Sequence, residues 1–236
     1  MKQHLQLPST EEKSELTPKD KLIYLALKSF DNPKEGCFPS IAKISERCGA
    51  SAPTISKSLE LLEKEKYIEI IKVNQRKRKY KFSPYKKFEC FSYDFLYNKD
   101  LTFIEKSYLA ASQQYMLEKE TGRGKIEYSS YELSEKINMP PSTIRKCDKS
   151  LVEKQYMTIV KEVKENLQLN KDVKYYNFVK YNEAVCDAII SHENRITDNT
   201  ERISNLEKEN KELKDYILKI EKELYNKQTK EKEIVI

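Results

Sequence analysis

The sequence predicts a mainly α fold with small β-hairpins, one compact unit written twice in tandem and followed by a long amphipathic helix. Three observations carry this. Two stretches of the chain align with each other without a gap. Each holds two short helix patterns and leads into a pair of β-rich runs, and the C-terminal part carries an apolar stripe every seven residues.

The repeat sets residues 40–72 over residues 129–161. Ser45-Glu46 falls on Ser134-Glu135, Thr54-Ile55 on Thr143-Ile144, Lys57 on Lys146, Leu62 on Leu151, Tyr67 on Tyr156 and Ile70 on Ile159. Upstream, Leu16-Thr17 and Lys21 answer to Leu101-Thr102 and Lys106. So much agreement in one order points to two copies of one module.

In the first copy Thr17-Pro18 reads as an N-cap with proline at the first helical position, and Asp20 stands where a carboxylate faces the helix dipole. Leu22, Leu25 and Leu27 supply the apolar side of a first helix that Asp31-Asn32-Pro33 breaks. Ser40 caps a short second helix, with Ile41 and Ile44 inward and Gly49 at its end. Glycine suits the left-handed residue of a tight helix–helix turn, and its counterpart, Asn138, is the next-best residue for that conformation. Ser51 then caps a third helix whose inward side is Ile55, Leu59 and Leu62.

The runs 67–73 and 80–82 flank a polar tip and predict a β-hairpin; 156–163 and 173–179 do the same around a loop at 164–172. The expected organisation is a flexible tail at 1–15, a first module at 16–83, a connector at 84–100 and a second module at 101–181. A coiled coil at 185–228 and a tail at 229–236 complete it. The aromatic connector reads as a packed segment or a lead-in strand. Thr121-Gly122-Arg123-Gly124-Lys125 lacks phosphate-loop spacing and reads as a flexible link.

In the tail Ile189, Ile196, Ile203, Asn210, Ile217 and Leu224 occupy heptad position a. His192, Asn199, Leu206, Leu213, Ile220 and Lys227 occupy d. Isoleucine at a with leucine at d favours two parallel strands, and one asparagine at a fixes register and dimer state. Arg202 with Glu207, and Glu209 with Lys214, are placed to pair between strands. The expected dimer seam is Ile196, Ile203, Leu206, Asn210, Leu213, Ile217, Ile220 and Leu224, with both modules folding independently of it. A chain ending at Tyr181 is accordingly expected to keep them folded.

Phe38-Pro39-Ser40, the Gly49-Ala50-Ser51 turn and Thr54-Ile55 before a leucine-ended helix resemble winged helix-turn-helix domains of plasmid and phage replication initiators, a pattern bacterial regulators share. The resemblance covers about residues 16–82 well and 101–179 less well; the second copy departs at Pro140, where the pattern has a capping serine. It implies tandem winged helix-turn-helix domains, each with a third helix able to enter the major groove of double-stranded DNA.

The candidate contacts of the first such helix are Ser51, Thr54, Ser56 and Lys57, with Ala52 and Pro53 on the same side. Those of the second are Ser142, Thr143, Arg145, Lys146 and Lys149. Arg145 is the foremost base reader, because arginine bidentate to guanine is the commonest specific contact. The first hairpin carries the strongest charge signal: residues 66–87 hold nine basic residues against one acid, Glu69, with Arg76, Lys77, Arg78 and Lys79 at the tip. Phosphate or minor-groove contact is the expected use. In the second hairpin Glu162, Glu165 and Asp172 offset Lys164 and Lys171, so that module either binds by its helix alone or faces protein.

Net charge is +6, with a sequence pI near 8.8, which permits an acidic partner without naming one. Five cysteines without a CxxC pair, and two histidines, assemble no metal-ligand spacing, so free thiols in a reducing cytoplasm are expected and no cofactor. No apolar leader or membrane span is expected, and no catalytic motif stands out. Three roles fit: a homodimeric transcriptional regulator, a plasmid or phage replication initiator, and a DNA-bound adaptor that recruits a protein through module two or the tail.

Overall fold

A computed structural model of the chain describes residues 4–9, 14–74, 77–117, 123–163, 170–177, 180, 182 and 200–220. It divides into two compact units, Met1–Ile189 and Ile190–Ile236.

The first half of the larger unit is built from α1 (Pro18–Lys28), α2 (Ile41–Cys48) and α3 (Ala52–Lys64), followed by the antiparallel hairpin β2 (Ile68–Lys72) and β3 (Arg78–Phe82). Thr17 opens α1 as expected: its backbone N–H and hydroxyl both donate to Asp20 Oδ2, at 2.7 and 2.6 Å. Gly49 ends α2 at φ 80°, its N–H bonded to the Ser45 carbonyl at 2.7 Å. Ile44, Ile55, Leu59 and Leu62 are fully buried against α1.

The second half runs α5 (Phe103–Ser112), β5 (Arg123–Ile126), α6 (Ser130–Ile137), α7 (Pro141–Glu153), β6 (Met157–Val163) and β7 (Asn170–Asn177). Its three strands order as β5-β7-β6. The internal repeat extends to backbone detail. Asn138 stands where Gly49 does and adopts φ 53°. Lys66 and Gln155, also matched positions, sit at φ 60° and 61°. Just after them the N–H of Tyr67 reaches the Leu62 carbonyl at 2.9 Å and that of Tyr156 the Leu151 carbonyl at 2.8 Å. Both third helices therefore end in the same left-handed C-terminal motif.

Three expectations are corrected. The stretch 1–15 is not simply a flexible tail: β1 (Leu5–Pro8) pairs antiparallel with β4 (Phe88–Phe91), because Leu5 and Leu7 alternate onto the core face and are buried. The connector 84–100, read as packed or as a strand, holds both β4 and the short α4 (Tyr93–Tyr97), with Phe91, Phe95 and Leu96 buried. Of the expected flexible link, residues 123–125 instead belong to strand β5, which pairs with β7. The modules also draw on the chain beyond residue 181, contrary to expectation. α1 packs on α5, one apolar cluster runs through both, and Asn182 beyond the second hairpin is buried in it. The Asn182 side chain accepts from Ser92 N at 2.8 Å and donates to Cys90 O at 2.7 Å and Gln113 Oε1 at 2.9 Å. A chain ending at Tyr181 would lose those bonds.

In the smaller unit residues 200–220 form a helix, α8, exposed along its whole length. Ile203, Leu206, Leu213, Ile217 and Ile220 lie on it with 38–57% exposure, a large apolar surface for a water-facing helix. Ile196 and Leu224 of the expected seam lie outside the described residues. Among the described residues no helix is long and apolar enough to cross a membrane.

Candidate nucleic-acid interface

In the first half α3 divides cleanly. Ile55, Ser58, Leu59 and Leu62 face inward, while Ser51, Ala52, Pro53 and Lys57 are exposed and Thr54 and Ser56 half-buried. The expected contacts thus share the outward N-terminal end of one helix. Ser51 does not cap through its side chain; its hydroxyl instead pairs with that of Thr54 at 2.8 Å. An inward anchor holds the helix: Ser58 donates to Asp20 Oδ1 at 2.5 Å, so the carboxylate that caps α1 also fixes the angle of α3.

The hairpin beside it is fastened at its base. The Tyr80 N–H donates to the Cys37 carbonyl at 2.9 Å, which lays the segment before α2 along β3. Gly36, at φ 85°, makes that approach possible, since a Cβ there would lie 3.1 Å from the Phe38 ring. Phe38 then supports the wing cations, with the ammonium of Lys77 4.7 Å and that of Lys79 5.5 Å from its ring centroid. Lys77 and Arg78 are exposed, and Lys79 is half-buried. Arg76 lies outside the described residues.

In the second half Ser142, Arg145, Lys146 and Lys149 are exposed along α7 and Thr143 is half-buried. Pro140 takes the N-cap position without a side-chain bond, the departure the sequence shows. The inner side of α7 carries a buried polar group that sequence reasoning missed. Asp148 accepts from the Tyr108 hydroxyl of α5 at 2.7 Å and stands 2.7 Å from Lys174 Nζ of β7. That ion pair is close but lies outside hydrogen-bond angles. The Tyr108 and Tyr176 hydroxyls are 2.8 Å apart, and burial first, then Tyr176 and Asp148, push the Tyr108 hydroxyl well above its usual pKa. It stays a donor, and α7 is tied at once to α5 and to β7.

Thr143 and Lys146 also border a crevice of about 700 Å³ between the start of α1 and the α6–α7 turn. The second hairpin differs from the first. Its outer strand β6 exposes Ile159 and Val160 by 40% and 47%, and the loop with Lys164 and Glu165 lies outside the described residues. Of the sequence-based candidates, those of α3 and β3 lie in the first half and those of α7 in the second. Phe38 and Tyr131, which support cations in the two halves, were not among them. An aromatic two positions from a capping serine, Ser40 or Ser129, was the available signal.

Cys37, Cys48 and Cys147 are buried free thiols. Burial pushes Cys37 and Cys147 up to about 12, where the reactive thiolate is scarce. Among the described residues no group of three or more His, Cys, Asp or Glu could hold a metal ion. Residues 14–68 match the model of a family described as a helix-turn-helix domain, a non-catalytic DNA-binding domain. The match spans α1 to the first residue of β2, and no curated protein matches the chain.

Proposed function

We propose that the chain is a sequence-specific double-stranded DNA-binding protein acting as a homodimer, most simply a transcriptional regulator. Both halves of the larger unit serve as winged helix-turn-helix modules, with α3 and α7 in major grooves and the β2–β3 hairpin on the backbone or in a minor groove. α8 belongs to a parallel coiled coil that joins two chains. The observation that carries this is the outward end of α3, held by the Asp20–Ser58 bond beside a hairpin whose lysines are propped on Phe38.

Footprinting of the full chain across its own locus tests it. A protected palindrome over a promoter supports the regulator. Iterated direct repeats beside an AT-rich stretch would replace that role with replication initiation, and protection nowhere would remove DNA as the partner. The exposed Ile159 and Val160 on the outer strand favour a second reading, an adaptor in which module two recruits protein. That reading needs a partner whose capture is lost in an Ile159→Lys, Val160→Lys variant that still footprints.

A further inference from the structure

We propose that Tyr131 is a positioning residue for base recognition: its ring holds the Arg145 guanidinium ready for a guanine edge. The inference rests on the reading of α7 as a groove-binding helix and says how its foremost contact is set.

Tyr131 lies in the first turn of α6 and is 67% exposed, so core packing does not account for an aromatic side chain there. Across the turn, Arg145 places its guanidinium carbon 5.2 Å from the Tyr131 ring centroid, within range of a cation–π contact. Among the described residues Arg145 has no carboxylate partner, and it stands exposed on the outward side of α7. Among the described residues the Tyr131 ring is its one side-chain support.

The internal repeat gives a control within the molecule. The positions matching Tyr131 and Arg145 in the first half are Ala42 and Ser56, both small. The pair is present together in one half and absent together from the other, although the two residues are fourteen positions apart on different helices. Two such helices otherwise share their turn geometry, so the difference lies in what the surface offers DNA.

The chemistry follows from the arginine. A free guanidinium side chain samples many rotamers and must surrender them when it makes two parallel hydrogen bonds to guanine O6 and N7. A flat ring restricts those rotamers beforehand while leaving the N–H fork exposed, so less is lost on docking. Discrimination at that base pair should therefore depend on the ring, and on its phenol oxygen hardly at all.

The test uses the full chain and a target duplex selected by it from a random library, with every single-base variant at the selected positions. Arg145→Ala is expected to flatten preference at one base pair. Tyr131→Ala should weaken discrimination at that same pair about two- to fivefold and leave binding to random duplex unchanged, while Tyr131→Phe keeps it. The double variant should discriminate no worse than Arg145→Ala alone. Positioning is overturned if the two losses add, if Tyr131→Ala weakens all duplexes alike, if Tyr131→Phe behaves as Tyr131→Ala, or if Tyr131→Ala changes nothing where Arg145→Ala does. An Arg145→Ala variant with every preference intact would instead remove Arg145 from base reading, and the proposal with it.

Discussion

The Ser150 hydroxyl of α7 lies 2.5 Å from Glu105 Oε1, and that same carboxylate caps its own helix by accepting from the Thr102 N–H at 2.7 Å. Asp20 plays both parts in the first half, capping α1 and accepting from Ser58 of α3. The serines are not at matched positions: Ser58 corresponds to Cys147, and Ser150 lies three residues, just under one helical turn, further on. The bond is kept between first and third helix although different residues make it.

Glu105 also receives Lys154 Nζ at 2.8 Å. Burial by itself would raise its pKa, but the hydrogen bonds from Lys154, Ser150 and Thr102 outweigh it and hold the carboxyl at about 2. Because the folded value lies below the ordinary 4.5, its contribution is complete above the unfolded value and fades as pH falls through 4.5 towards 2. Glu105→Gln should cost about 2 kcal/mol at neutral pH, the usual scale for hydrogen bonds to a charged group. In urea unfolding, the gap from the native chain should close on acidification. A constant gap down to pH 2 would mean the carboxylate charge contributes nothing.

Replacing Arg76, Lys77, Arg78 and Lys79 with alanine should weaken binding to every duplex alike, because phosphate contacts carry no sequence information. Each lost contact should lower the log–log salt slope by about 0.9. The structure adds a finer test in Phe38→Leu, which removes the ring under Lys77 and Lys79 while leaving the charges. It should reduce affinity slightly without changing the slope. A slope unaltered in the quadruple variant takes the hairpin out of the interface.

Lys57 and Arg145 should fail in different ways. Lysine is a point charge without a planar fork, so Lys57→Ala should lower cognate and random binding together. Arg145→Ala should cost roughly 1–3 kcal/mol at one base pair and little on random DNA. Competition binding against single-base variants separates the two, and an Arg145→Ala variant that lowers cognate and random binding equally would mean that α7 does not read bases through this residue.

Local signals carried most of the helices. Thr17, Ser40, Gly49 and Asn138 declare helix ends through short-range chemistry, and the apolar spacing of Ile55, Leu59 and Leu62 declares the side that packs. Partners distant in sequence were not legible. Leu5 and Leu7 form too short an alternation to predict a strand unless Phe88–Phe91 is known to lie beside them. The Asp148–Lys174 pair looks like two surface charges in a charged chain, since nothing local states that both side chains point inward. Asn182 is the sharpest case, a polar residue past the last predicted element whose burial depends on backbone atoms some ninety positions away.

Asn182 also decides where the tail can be removed. A chain ending at Ile189 keeps it, whereas one ending at Tyr181 leaves Ser92 N and Gln113 Oε1 without that partner, at roughly 1–3 kcal/mol for each buried group left unsatisfied. The chain ending at Ile189 should therefore unfold in one transition near that of the full chain, since the halves share one core, and the chain ending at Tyr181 should melt several degrees lower. With the helix of Ile203, Leu206, Leu213, Ile217 and Ile220 gone, the chain ending at Ile189 should be monomeric by light scattering. It should bind a single half-site as the full chain does and a double site at least tenfold more weakly, since a tethered second site commonly gains about 10²–10⁴ in effective affinity. Asn210→Ile in the full chain should raise thermal stability and admit trimers, because the amide that penalises other assemblies is gone. A dimer that survives removal of residues 190–236 would move the dimer interface into the larger unit and leave α8 an accessory.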